Sequence, residues 1–293
     1  MAEPAVQTAG RESAITRFAQ KRPLTLFFLV AYAWGWTIWL IVPRFLRNVV
    51  RGTDNFDPFD IAVIMIGACG PTLAAFLTRW LIHRDLKICP VWTGCRRLII
   101  GLGFGLSAFF AATVAVPAAA LAKAPFYALH WSALLHWSTY RINYSTFLGG
   151  PVNEEPGWRG FALPQLQSRY GSVWASTIIA VLWAGWHLPL FLIPGWSSTN
   201  PWQFVLILLG VSFLLTAAAN FARFGVLVAI VLHAFFNTSA GLLGALTNGL
   251  TPRPYPVVIY TFVVLVGGTG LGLLAFIGRK KAARQDSARV DSA

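Results

Sequence analysis

Residues 24–42 read LTLFFLVAYAWGWTIWLIV, a run without a single charged side chain. A helix rises 1.5 Å per residue and the hydrocarbon core of a bilayer is about 30 Å thick, so one crossing takes ~20 mostly apolar residues. The run meets that length. It follows Arg17, Lys21 and Arg22, as the apolar part of a signal peptide would. It lacks a small-residue cleavage pattern, however, and reads as a retained anchor. Six more blocks of the same kind follow: Phe59–Ile82, Leu98–Leu121, Val173–Ile193, Phe204–Phe221, Val226–Leu246 and Val257–Ile277. An eighth, Ser138–Glu155, is weak because it holds Arg141, Asn143, Asn153 and two glutamates. It is included because it leads into that acidic pair and because the loop charges alternate only if it spans.

Composition agrees with this reading. Of 293 residues, 56% are hydrophobic and 11% charged, whereas soluble domains carry about 25% charged residues. A soluble single-core enzyme and a disordered chain are both excluded. The predicted fold class is an all-α polytopic transmembrane bundle of about eight spans. Met1–Pro23 is a polar N-terminal tail, Leu24–Gly278 the membrane domain and Arg279–Ala293 a basic C-terminal tail, both tails expected to be poorly ordered.

The formal net charge of +13 would suggest a nucleic-acid partner in a soluble protein. Here it reads as orientation. With eight spans, 17 of the 23 Lys and Arg fall on the side of the termini, and cytoplasmic loops accumulate Lys and Arg. Both termini are therefore expected in the cytoplasm, in the plasma membrane if the source is bacterial, and no nucleic acid is needed. The three cysteines, Cys69, Cys89 and Cys95, give neither a disulfide framework nor a metal site. Gly101-x-x-x-Gly105 and Gly268-x-x-x-Gly272 have the spacing of helix-packing glycines.

The ten acidic residues carry more information than the basic ones. Between Leu86 and Gln285 only Glu154 and Glu155 occur, side by side next to a span. Ionisable groups at membrane depth are costly and face a cavity, a partner or a pathway. Glu155 and Arg159 stand four apart in the favourable order for a helical ion pair, which would account for Glu155 and leave Glu154 without a local partner. Pro156-Gly157 suggests that one helix ends at Glu155 and another begins at Pro156. His187, four residues after Trp183 and two before Pro189, lies within an apolar span, as do His233 and Asn237. The four-residue spacing puts His233 and Asn237 on one helical face. These residues are candidates for one shared site; His83, His130 and His136 lie in loops or at span ends.

In this order, Glu154-Glu-Pro-Gly-Trp-Arg159-Gly-Phe-Ala-Leu-Pro164, Trp183-x-x-x-His187-Leu-Pro and His233-x-x-x-Asn237 resemble the CPBP family of intramembrane proteases. That family comprises the CAAX prenyl endopeptidase type and its bacterial relatives, including bacteriocin-processing and self-immunity proteins. The motif core covers Gly149–Asn237, and Gly70-Pro-Thr-Leu-Ala74 is a weaker match. The family often has Phe where this chain has Trp183, a change expected to affect pocket shape only. The resemblance implies glutamate-dependent peptide hydrolysis in the bilayer. Glu154 and His187 would activate water, and His233 and Asn237 would stabilise the oxyanion. Glu155 and Arg159 would support them, and the substrate would be a peptide or a prenylated protein. Physical chemistry favours the same roles: an apolar cavity makes a carboxylate a stronger base, and each preorganised oxyanion donor lowers the barrier by ~3 kcal/mol.

A zinc mechanism with Glu154, His187 and His233 as ligands is the nearest alternative, although no His-Glu-x-x-His occurs; no cofactor is expected. A transporter with Glu154 in a proton or ion path and a non-catalytic immunity or scaffold protein are the readings from other classes. Oligomeric state is not legible in the sequence.

Overall fold

A computed structural model describes residues 13–46, 58–87, 94–95, 98–99, 101–103, 149–193, 196–197, 199–223, 225–246 and 263–279. Its elements are helical: α1 Ala14–Lys21, α2 Pro23–Leu46, α3 Pro58–Ala68, α4 Gly70–His83 and α5 Pro151–Glu155. A π-helical segment, Pro156–Ala162, leads into α6 Leu163–Trp186, and a 3₁₀ turn, Leu188–Leu192, follows it. Then come α7 Pro201–Phe221, α8 Val226–Leu246 and α9 Val263–Arg279. Among the described residues there is no strand.

Among the described residues four runs are long and apolar enough to cross a membrane: Pro23–Phe45, Phe59–His83, Pro151–Leu192 and Pro201–Phe221. Leu29, Ile41, Phe45 and Val181 point outward from them. Such apolar exteriors suit a hydrocarbon solvent and would be a liability in water. The chain is an integral membrane protein built as a helical bundle. The expected span Leu98–Leu121, the stretch Ser138–Leu148 of the weak span, and Val257–Phe262 lie largely or wholly outside the described residues.

Two helix junctions show how the bundle satisfies its backbone. The second expected span is broken at Cys69, because Pro71 cannot donate and Gly70 packs its Cα against the Ala31 carbonyl. A helix end leaves carbonyls without partners. At this junction the indoles of α2 donate to carbonyls near the end of α3, Trp34 Nε1 to Ile66 O at 2.7 Å, which also accepts from Cys69 N at 3.3 Å, and Trp39 Nε1 to Ile64 O at 3.3 Å. In the same way Trp36 Nε1 donates to the last carbonyl of α6, Trp186 O, at 3.0 Å, and Trp186 Nε1 returns to Ala31 O at 3.0 Å. Helix α6 also packs along α7, where Ser212 Oγ donates to Ser176 O at 2.9 Å.

Two expectations need correction. The polar N-terminal segment forms a helix over Ala14–Lys21, capped by the Ser13 hydroxyl, which accepts from Thr16 N at 3.1 Å; Thr16 and Ala19 are buried. Polar composition concealed an amphipathic turn that packs on α2 and α4. The α-helix ends at Glu155 and a second helix begins at Pro156, as the sequence suggests; that second helix is a π segment, which joins α5 to α6 without a loop. Finally, Gly268 and Gly272 face open space, while Gly267 and Gly270 meet α7 at Gly210 and Leu214. The packing face of α9 is offset from the motif. Of the cysteines, Cys69 and Cys95 are free thiols, and Cys89 lies outside the described residues.

Candidate active site

The site starts at Gly150, whose φ of +117° is a conformation that side chains disfavour. Its geometry turns the chain into α5, and Glu154 N donates back to Gly150 O at 2.7 Å. A Cβ at residue 150 would stand 2.3 Å from Glu154 Oε1. The glycine is thus required twice, by its torsion and by the carboxylate above it. One turn further, a Cβ on Gly157 would strike the Pro71 carbonyl at 2.4 Å, which shows how closely the π segment lies on the start of α4. The Gly70-Pro-Thr-Leu-Ala74 match therefore forms one wall of the same unit.

Both glutamates are buried, Glu154 at 3% exposure and Glu155 at 0%. They have different partners. Glu155 Oε1 accepts from Arg159 Nη1 at 2.8 Å and from His233 Nδ1 at 2.8 Å. The helical pair expected from the spacing is present, and a histidine 78 residues away completes it. Glu154 Oε2 accepts from Trp183 Nε1 at 2.6 Å. The expectation that Glu154 lacks a partner holds only for its neighbours in sequence; its partner comes from α6. Among the described residues no cation pairs with Glu154.

Arg159 is one of the 17 basic residues assigned to the side of the termini, yet it is 1% exposed. Its guanidinium sits 4.5 Å from the Trp183 ring centroid, so it is held by one carboxylate and one aromatic face. It belongs to the interior and contributes nothing to a surface charge bias.

His187 caps the C-terminus of α6, where the helix yields to the 3₁₀ turn before Pro189. Its Nδ1 lies 2.8 Å from Trp183 O. A carbonyl only accepts, so Nδ1 carries the proton, and the lone pair of the neutral ring is on Nε2. The imidazole stacks with Trp39 and Trp196 and meets Trp186 and Phe204 edge-on. The same reasoning applies to His233: facing a carboxylate, its Nδ1 is the protonated nitrogen. The His233 ring stands edge-on to Trp183, with centroids 5.0 Å apart.

Contacts thus connect Glu154, Glu155, Arg159, His187 and His233, and every one of these contacts or chains of contacts passes through Trp183 or Glu155. Asn237 is one turn beyond His233 and exposed; its Nδ2 lies 3.4 Å from Gly149 O, a long and weak bond. It sits beside the Gly149–Gly150 turn. Trp183 is the residue that sequence reasoning missed. The only signal was an aromatic with a polar atom where the resembling family often has phenylalanine.

Among the described residues no three His, Cys, Asp or Glu are gathered as a metal-holding group. The bonds to Oε2 of Glu154 and to Nδ1 of His187 and His233 leave Oε1 and the two Nε2 atoms as those a metal would take.

Residues 136–239 match the family model of the Rce1-like type II CAAX prenyl endopeptidases. The CAAX prenyl protease 2 of Methanococcus maripaludis is 32% identical over 101 residues, which are 31% of this chain and 36% of that protein. The match thus spans about a third of the relative's length. The chain carries an Rce1-like segment, and the segment contains every residue of the site from Glu154 to Asn237.

Proposed function

We propose that the chain is an intramembrane endopeptidase that hydrolyses a peptide bond of a prenylated CAAX-type protein or of a bacterial peptide. The observation that carries this reading is the buried Glu154 carboxylate, which rests on a neutral indole donor while its neighbour Glu155 takes both Arg159 and His233. An acid that needs only to be held in place has its charge compensated; a base must keep an oxygen for a proton. The likeness to a protein named CAAX prenyl protease 2 supports a prenylated C-terminal substrate.

In this mechanism Glu154 takes a proton from water while Nε2 of His187 accepts its second hydrogen and orients it. The water oxygen bonds to the carbonyl carbon, and the carbonyl π pair moves onto its oxygen. His233 and Asn237 donate to that oxyanion. Because Nδ1 of His233 is committed to Glu155, its donation through Nε2 requires the imidazolium form, with Glu155 as counter-ion. The proton on Glu154 then passes to the amine as the C–N bond breaks. Arg159 keeps Glu155 in position. No metal takes part.

The test is cleavage of a fluorogenic prenylated peptide by the purified chain in detergent or liposomes. Loss of cleavage in Glu154→Ala is the expected result. Proton or solute flux that depends on Glu154, with no cleavage, would favour a carrier instead. Stoichiometric zinc whose removal abolishes cleavage would defeat the water-glutamate scheme.

A further inference from the structure

Trp183 is 1% exposed and makes four different contacts with the site. Its indole N–H donates to Glu154 Oε2 at 2.6 Å. Its backbone carbonyl receives Nδ1–H of His187 at 2.8 Å. Arg159 lies over its ring at 4.5 Å, and the His233 ring meets it edge-on at 5.0 Å. A phenylalanine here would keep the carbonyl and offer an aromatic face to both neighbours. It would lack the N–H alone.

We propose that the Trp183 indole N–H is a positioning group for Glu154: by holding Oε2 it fixes the carboxylate so that Oε1 is the oxygen presented to water. The indole binds Oε2 from α6, while Oε1 lies over Gly150, in the space a side chain there would fill. Rotation of the carboxylate would break the indole contact. The same residue fixes the histidine, since the carbonyl of Trp183 sets the tautomer that leaves Nε2 of His187 as an acceptor. Both groups assigned to the water are therefore referenced to a single residue, which ties Glu154 of α5 to His187 at the end of α6. The effect is on geometry at the reacting atoms, where a displacement of about 1 Å costs on the order of 100-fold in rate.

This inference rests on the protease reading, and the experiment separates the two. The full-length chain in liposomes is assayed with a fluorogenic prenylated peptide as wild type, Glu154→Ala and Trp183→Phe. The expected result is a kcat for Trp183→Phe lower by on the order of 10- to 100-fold with KM little changed. A Trp183→Phe protein with wild-type kcat overturns the inference and leaves the protease reading intact, provided Glu154→Ala is inactive. Cleavage that survives in Glu154→Ala overturns the protease reading itself. Should Trp183→Phe fail to fold, indole ¹⁵N–¹H spectra of wild type and Glu154→Ala decide the matter. A downfield indole resonance that moves upfield in Glu154→Ala supports the contact, and identical spectra refute it.

Discussion

Two arginine–carboxylate pairs in this molecule have nearly the same chemistry and opposite surroundings. Arg159 and Glu155, one turn apart, lie in the interior with side-chain exposures of 0% and 0%. Arg79 and Asp85 meet at the water-facing end of α4, with Arg79 Nε 2.5 Å and Nη2 3.2 Å from the carboxylate oxygens. The outer pair has the better, two-pronged geometry, yet water can replace either partner at little cost. The inner pair makes one bond, and both partners are closed off from bulk solvent. Among the described residues no group meets Arg159 Nε, Arg159 Nη2 or Glu155 Oε2. Geometry alone is therefore a poor guide to what a salt bridge does; what matters is the cost of removing one side.

Several experiments would break or sharpen that contrast. The largest effect is expected at the acid that belongs to neither pair: Glu154→Gln lowers the cleavage rate by on the order of 10²- to 10⁴-fold with folding intact. If Glu155→Gln causes the same loss in an equally well-folded protein, the division between a working and a supporting glutamate fails. Next comes Arg159→Met, which leaves a buried, uncompensated carboxylate and costs about 3–5 kcal/mol of stability, measured by thermal or denaturant unfolding in detergent. Arg79→Met should unfold close to wild type. The double variant Glu155→Leu with Arg159→Met should regain most of that stability, because replacing both members of a buried pair by apolar groups is often neutral. It should nevertheless cleave poorly, since His233 Nδ1 loses its acceptor. Gly150→Ala should cost about 1–3 kcal/mol from the strained torsion, with an added loss of kcat from the displaced Glu154.

The smallest effect concerns the outer pair and pH. The hydrogen bonds from Arg79 hold the Asp85 carboxyl down to about 2, below the ordinary value of about 3.9. A depressed acid contributes its stabilisation in full above the ordinary value and loses it as pH falls towards the folded one. Melts of wild type and Asp85→Asn should thus differ most at neutral pH and converge as pH drops from about 4 to about 2. A difference that persists at the lowest pH would show that Asp85 acts through something other than charge.

The contrast also marks what could be read from the chain without coordinates. Local relations were legible: the apolar blocks, the i,i+4 partnership of Glu155 and Arg159, and the isolation of Glu154 among acids. These depend on spacing along one helix or on bulk composition. The contacts that define the site were not legible, because they join residues 29 and 78 positions apart through side chains that periodicity treats as apolar or indifferent. The π character of the segment that begins at Pro156 was hidden for a different reason. Proline rules describe α-helix hydrogen bonding, and a π segment moves the bonds by one residue. The burial of Arg159 was likewise invisible to a count of loop charges, which assumes every basic residue is at a surface.

The four-residue interval between Glu155 and Arg159 has a consequence for how the protein is made. A nascent chain enters the bilayer from its N-terminus, long before distant partners exist. Acid and base here emerge within one helical turn of each other and pass inward as a self-neutralised unit, which removes much of the barrier to placing an ion in lipid. His233 arrives only when α8 has been synthesised and inserted. The proposed hydrolytic centre is consequently assembled last, and a chain halted before α8 carries its charges safely in the membrane with that centre incomplete.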